Sequence, residues 1–412
     1  MIWCDEAMTE TKIWRVDPHN FHLGEIQEAA LLLRAGKLVA FPTETVYGLG
    51  ANALDVQAVQ GIFRAKGRPS DNPLIVHITG LDELAPLVSD FPPMAQKMAE
   101  LFWPGPLTII LPASKQVPAE VTAGLSTVAI RMPSHPVARE LIRSAKVPVA
   151  APSANRSGKP SPTTADHVRQ DLWGRVDGLV DGGECTVGLE STVVDVTGDH
   201  PVILRPGGIT REMLSMHFEG VEVDGEPGVT KAIAERPSEV TAEHSFPTEE
   251  HVPVENRLSV ENRLPAEKRL GEANGEAASP ANPAPRSPGM KYTHYAPKAP
   301  VYLLTGPWKE QVKAITVLLE KETDPLGLLI SEETYEHIKE LLPQECGSKY
   351  LIRLAGSRED LRSVAYRLFG SLRSFDETSV TAIIAESYPR EGIGMALMNR
   401  LTKAAGGRIW RE

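Results

Sequence analysis

Apolar residues fall on one helical face between positions 24 and 35, at Ile26, Ala29, Ala30 and Leu33, and Gly36 closes the run. An unbroken apolar segment, Leu38-Val39-Ala40-Phe41, follows at once and gives way to Pro42-Thr43-Glu44-Thr45, the pattern of a buried strand leaving its sheet. The spacing predicts a second helix over 55–65, with Asp55 as its N-cap. Apolar strands then recur at 74–78, 107–111, 128–130, 147–151, 192–196 and 202–204, and helical patterns near 94–102, 135–144 and 164–172 separate some of them. Strands interleaved with helices in this way imply one α/β domain around a mixed sheet. Its expected extent is residues 22–222, behind an N-terminal extension of residues 1–21.

The pattern stops after about residue 222. Residues 231–290 hold eight prolines, ten glutamates and a single aromatic, Phe246, too little apolar matter to close a core. Within them Val254-Glu255-Asn256-Arg257-Leu258 returns as Val260-Glu261-Asn262-Arg263-Leu264, a period that suits neither a coiled coil nor a solenoid. A disordered Pro/Glu-rich linker over 223–288 is the reading. Order resumes over 289–298, which contains Lys291-Tyr292-Thr293-His294-Tyr295-Ala296-Pro297. Strand patterns at 301–304, 328–330 and 382–385, with helical ones near 308–320, 332–341, 357–373 and 393–404, predict a smaller Rossmann-like α/β domain over 299–412. Its Gly392-Ile393-Gly394 lacks the third glycine of a dinucleotide fingerprint and carries no cofactor role.

Composition narrows the function classes. The formal charge of −11 argues against a protein that holds nucleic acid mainly by electrostatics. The three cysteines show no CxxC spacing and the histidines no HExxH pair, so no metal site is expected and a reducing compartment fits. No apolar run reaches the length of a membrane span, which predicts a cytoplasmic protein without a membrane partner. There is no GxxxxGK[ST] loop for a P-loop ATPase and no GxSxG elbow for a hydrolase.

What remains is a set of cations, hydroxyls and amides at strand ends, where open α/β sheets bind ligands. The run Lys66-Gly67-Arg68-Pro69-Ser70-Asp71-Asn72-Pro73-Leu74-Ile75-Val76-His77 sets two cations before an apolar strand ending in histidine. Clustered cations on a proline-pinned backbone are costly to order unless an anion joins them. A second loop, Ser153-Ala154-Asn155-Arg156-Ser157-Gly158-Lys159-Pro160-Ser161, could bring backbone amides to the same anion. Arg131 and Arg205 border apolar segments too, and guanidinium matches phosphate and carboxylate in bidentate fashion.

The two loops, together with Phe41-Pro42-Thr43-Glu44-Thr45-Val46-Tyr47-Gly48-Leu49 and Leu204-Arg205-Pro206-Gly207, resemble the YrdC-type threonylcarbamoyl-AMP synthases over roughly residues 22–215. The Lys-Tyr-x-His-Tyr-Ala-Pro segment and the domain after it resemble the longer, two-domain branch of that family. The resemblance implies a twisted open mixed sheet with a concave cationic cleft, and a nucleotidyltransferase that joins L-threonine, bicarbonate and ATP into L-threonylcarbamoyladenylate with release of pyrophosphate. The adenylate would pass to tRNA threonylcarbamoyltransferase proteins, so tRNA is an indirect partner. By motif, Thr45, His77, Arg131, Ala151 (through its backbone) and Ser191 would hold threonine. Arg68, Asn72, Thr127, Ser153, Ser161, Arg205, His294 and Tyr295 would line the ATP site, Lys66 would face the phosphates beside Arg68 and Ser153 as the catalytic set, and His294 and Tyr295 would form a lid. Mg²⁺ would arrive with ATP, held by phosphates and water. The linker is longer than the family's usual connector. The rival reading is an RNA-binding module that uses the cationic concave sheet without catalysis. A hydrogenase-maturation carbamoyl-transfer protein would need zinc-finger cysteine pairs that the chain lacks.

Overall fold

The computed structural model describes residues 9–225, 285, 295–321, 325–342 and 350–411. Nearly all of the expected linker at 223–288 lies outside the described residues, as does the expected lid up to and including His294.

Eleven strands make one mixed sheet: β1 (Lys12–Arg15), β2 (Val39–Phe41), β3 (Gly48–Asn52), β4 (Ile75–His77), β5 (Leu107–Pro112), β6 (Thr127–Arg131), β7 (Val149–Ala150), β8 (Gly178–Asp181), β9 (Thr192–Asp195), β10 (Val202–Arg205) and β11 (Glu222–Val223). Their order is β1-β8-β2-β3-β7-β4-β6-β5-β9-β10-β11. The edge strand β1 pairs in parallel with β8, so the sheet draws its first strand from the stretch read as an N-terminal extension. At the centre, the two-residue β7 runs antiparallel to both β3 and β4, while β4 and β6 run parallel and bring His77 opposite Arg131.

Local chemistry delivers the two loops. Asp55 caps the helix Val56–Lys66 by accepting from the amides of Gln57 and Ala58. Gly67 ends the helix in the left-handed conformation, φ 62°, where a side chain would be strained. Lys66 is thereby fixed on a buried last turn, with Arg68 just beyond it.

The second unit is a four-stranded, wholly parallel sheet, β12 (Val301–Leu303), β13 (Leu326–Ile330), β14 (Tyr350–Leu354) and β15 (Ala382–Ala385), in the order β12-β15-β13-β14. Its helices include Leu361–Ser374 and Ile393–Ala405. The two units share a seam. Val46 and Leu189 of the first, with Tyr295, belong to the same apolar cluster as Phe369, Leu372, Leu397 and Leu401 of the second. Gly188, at φ 80°, lies so close to the second unit that a Cβ there would come within 2.5 Å of Tyr366 Cα. Arg373 adds a buried ion pair, Nη2 to Asp171 Oδ2 at 2.7 Å.

Candidate active site

One cleft gathers Thr45, Lys66, Arg68, His77, Arg131, Ala151, Ser153, Ser161, Ser191, Arg205 and Tyr295. These come from the ends of β4, β6 and β10, from the turn after β2, from the loops around 66–73, 151–161 and 190–192, and, for Tyr295, from the segment that precedes Val301–Leu303. Two expected members do not line it. Asn72 is wholly buried, with neither amide atom hydrogen-bonded, and Thr127 sits at the start of β6, opposite Pro112. His294 lies outside the described residues.

Lys66 reaches the cleft, and its ammonium is held by the loop that begins at Ser153. It donates to the carbonyls of Ser153 and of Asn155, the latter at 2.6 Å, and more weakly to Asn155 Oδ1 at 3.4 Å. A buried ammonium must find acceptors, and this loop supplies them. Burial and then the neighbouring Arg68 charge push the Lys66 pKa well down. Ser153 Oγ donates to Asn155 Oδ1, whose amide nitrogen donates to the carbonyls of Arg156 and Lys159 at 2.8 Å each. Lys66, Ser153 and Asn155 thus form one network that shapes the loop's backbone.

At the β4 and β6 ends, Arg131 Nη2 approaches Glu44 Oε1 at 2.7 Å, with both side chains buried. The contact is an ion pair without hydrogen-bond alignment, so Nε and Nη2 of Arg131 still lack hydrogen-bond acceptors, and Nδ1 of His77 has no hydrogen-bond partner. Unsatisfied polar atoms this deep are costly unless a ligand meets them. Thr45 lies beside them, its hydroxyl 2.8 Å from that of Thr43. Burial, and secondarily Arg131, hold the His77 pKa down at about 3, so the ring is neutral at physiological pH.

At the end of β10 Arg205 donates from Nε to the Ser191 carbonyl and from Nη2 to its hydroxyl, each at 3.1 Å. Burial and the Arg400 charge lower its pKa to about 10, which leaves it cationic. Ser191 is also hydroxyl-bonded to Thr108 at 2.7 Å. Glu190 accepts from the Ser161 hydroxyl and from Arg400 Nε. Burial pushes its carboxyl up, but Arg400, Arg205 and Ser161 outweigh that and hold it at about 2. Tyr295 stacks on Phe369, ring centres 5.1 Å apart, and the amide of Ala296 donates to Gly158 O at 3.0 Å, which fastens this segment to the 151–161 loop. Arg131 and Arg205 are only 4% and 5% exposed, too deep to track a nucleic-acid backbone. The cleft instead suits small anions that enter it.

A family model for the Sua5/YciO/YrdC domain, described as telomere recombination, matches residues 31–207, and one described as the threonylcarbamoyl-AMP synthase C-terminal domain matches residues 254–406. The threonylcarbamoyl-AMP synthase of Bacillus subtilis is 43% identical over 408 residues, covering 98% of this chain and 100% of that protein. The chain belongs to the threonylcarbamoyl-AMP synthase family. The Pyrococcus abyssi synthase is 41% identical over 93% of this chain and 95% of its own length. The crystal structure of P. abyssi Sua5 complexed with L-threonine matches with a TM-score of 0.76 at 38% identity, covering 97% of this chain and 99% of that one. Membership agrees with the fold, a YrdC-like mixed sheet followed by a parallel α/β unit.

Glu44, Lys159, Glu190 and Arg400 had no role in the sequence reading. Lys159 lines the cleft and pairs with Asp171 at 2.8 Å. Glu44 stood within the quoted motif, but only the fold shows that it faces Arg131.

The depressed His77 pKa has a consequence for stability. Below about pH 6.5 the unfolded chain takes up a proton that the folded chain refuses until about pH 3, so stability is lost as pH falls through that window. By pH 5 His77 alone should cost about 2 kcal/mol. Thermal melts of the wild type and His77→Gln at pH 7 and pH 5 check this, with the variant expected to lose less on acidification. An equal loss in both would remove His77 as the source.

Proposed function

We propose that this chain makes L-threonylcarbamoyladenylate from L-threonine, bicarbonate and ATP, with release of pyrophosphate, as the first step of threonylcarbamoyladenosine formation in tRNA. The observation that carries the reading is full-length similarity to the synthases together with a cleft whose unsatisfied polar atoms at Arg131 and His77 suit a bound amino acid. The reaction class is nucleotidyl transfer. Threonine's carboxylate meets Arg131, with neutral His77, Thr45, Ser191 and the Ala151 backbone around the rest. Bicarbonate loses hydroxide, which leaves as water with an added proton, to give CO₂; the threonine amine bonds to its carbon and gives up a proton to solvent, leaving an anionic carbamate. A carbamate oxygen then attacks the α-phosphorus of ATP, the bond to the bridging oxygen breaks, and pyrophosphate leaves.

That nucleophile is already anionic, so the attack needs no strong general base. Catalysis comes from positioning and from charge neutralisation at phosphorus. Arg68, Ser161 and Arg205 serve the nucleotide, and the Lys66–Ser153–Asn155 network presents the loop backbone to it. Tyr295 lines the cleft and helps to close it, which keeps water from a labile mixed anhydride. The fit for Mg²⁺ is poor. Among the described residues no acidic or histidine cluster could hold a metal ion, and Glu44 and Glu190 face arginines. The described residues therefore offer Mg²⁺ no ligand set of their own. No described helix is long and apolar enough to cross a membrane. We place the protein in the cytoplasm, handing its product to tRNA threonylcarbamoyltransferase proteins.

Incubation with ATP and bicarbonate, plus threonine, serine or valine, tests the reading by pyrophosphate release. Threonine is expected to exceed serine by about 10- to 100-fold, since a methyl pocket separates them, and valine should fall further behind because it leaves polar groups unpaired. Pyrophosphate release indifferent to threonine or bicarbonate would refute the assignment.

A further inference from the structure

Arg400 belongs to the second unit, midway along the helix Ile393–Ala405, yet its guanidinium ends against the cleft of the first. It is the largest fully buried side chain among the described residues. A guanidinium cut off from water needs acceptors for its N–H groups. Nε donates to Glu190 Oε2 at 2.9 Å, Nη1 donates to Pro206 O at 2.8 Å and to Asn399 Oδ1 at 3.1 Å, and Nη2 reaches Glu190 O at 3.5 Å. The second carboxylate oxygen of Glu190 takes the Ser161 hydroxyl. Arg205, next to Pro206, is bonded twice to Ser191. The Tyr295 ring centre lies 5.8 Å from the Arg400 guanidinium carbon. Four cleft residues are therefore organised around one side chain of the other unit.

Docking alone does not call for this arrangement. The units already share an apolar seam and the Arg373–Asp171 pair. What Arg400 adds is electrostatic. Glu190 is an anion in a cleft that must accept a triphosphate, and after Arg400 the cation that acts on it most is Arg205. With Arg400 in place, the Glu190 charge is met from the second unit. Without it, the charge would fall to Arg205 and tie up a guanidinium that phosphate needs.

We propose that Arg400 is a positioning residue for the nucleotide half of the cleft, neutralising and fixing Glu190 so that Ser161, Arg205 and Tyr295 stay arranged for ATP. The second unit then completes the active site of the first. This rests on the placing of ATP made above.

The test measures KM for ATP and for threonine, by pyrophosphate release, together with melting temperature, on the full chain. Arg400→Gln should raise the ATP KM about tenfold or more and leave the threonine KM within about twofold. Arg400→Lys keeps a charge against Glu190 and should hold the ATP KM within about threefold of wild type. The double variant Arg400→Gln with Glu190→Gln, which lacks the capturing carboxylate, should reverse most of the rise in ATP KM seen in the single variant. Leu328→Ala, in the core of the second sheet, should lower the melting temperature and shift neither KM. Equal rises in both KM values, no rise for ATP in Arg400→Gln, or the same rise in Leu328→Ala would each overturn the proposal. If Arg400→Gln fails to fold, the lysine and double variants decide by the same ATP criterion. A wild type that releases pyrophosphate without need of threonine would refute the reaction instead, and the ATP KM comparison would still stand.

Discussion

Lys66→Met should reduce threonine-dependent pyrophosphate release by about 100-fold, the loss expected when reacting groups are displaced by about 1 Å. Methionine fills the same channel but offers no donor. The carbonyls of Ser153 and Asn155 and the Asn155 side chain then lose their shared ammonium. Each buried acceptor left unmade costs about 1–3 kcal/mol, partly offset because a buried ammonium no longer has to be desolvated. A net destabilisation of about 3 kcal/mol is expected on that basis. The 151–161 loop should loosen first, since Lys66 ties its beginning to the helix Val56–Lys66. Steady-state kinetics and thermal melts of the variant check both parts. Full activity with a lowered melting temperature would separate Lys66 from the chemistry altogether.

Arg131→Met should be as severe, and its cause can be divided. Alone it leaves Glu44 buried without its cation, a loss of about 3–5 kcal/mol in stability. The double variant Arg131→Met with Glu44→Met removes both charges and should regain most of that stability, because apolar replacements of a buried pair are often neutral. Synthesis should fail in both variants. The proposed partner of the threonine carboxylate is gone in both, and truncation of one side of a buried charged contact costs about 2–5 kcal/mol in binding. Threonine affinity, read as KM or by calorimetry, and melting temperature are the measurements. A double variant that bound threonine normally would show that Arg131 serves only Glu44.

Much of this architecture was legible in the chain because burial repeats with the period of the local structure. The helix Val56–Lys66 was readable to within a residue, since Asp55 and Gly67 mark its ends. β3 was not. Gly48-Leu49-Gly50-Ala51-Asn52 looks like a turn, with two glycines in five positions. The fold gives the reason: a Cβ on Gly50 would lie 2.8 Å from the Phe41 ring and 2.9 Å from Val149, so the strand passes where no side chain fits. The edge strands β1 and β14 were missed because half-exposed strands carry weak apolar alternation. In the cleft, Thr45, Lys66, Arg68, His77, Ser153, Ser161, Arg205 and Tyr295 stood in contiguous motifs, whereas Arg131, Ala151 and Ser191 stood outside them. Asn72 belonged to such a motif as well, yet it is sealed beneath the loop instead of lining the cleft. Arg400 could not be read at all, because 210 positions separate it from Glu190 and nothing local distinguishes it from any other arginine in a helix.

The seam formed by Val46, Leu189 and Tyr295 against Phe369, Leu372, Leu397 and Leu401 bears on how such a protein can change over generations. Val46 and Tyr295 line the cleft as well as the seam, so the same residues answer to catalysis on one side and to packing on the other. A lineage could lengthen or shorten the chain between the two units with little effect on either. It could not shed the second unit without first recolouring the rim of its own cleft from apolar to polar. Drift at these positions should therefore be correlated across the seam, each half inheriting the constraints of the other.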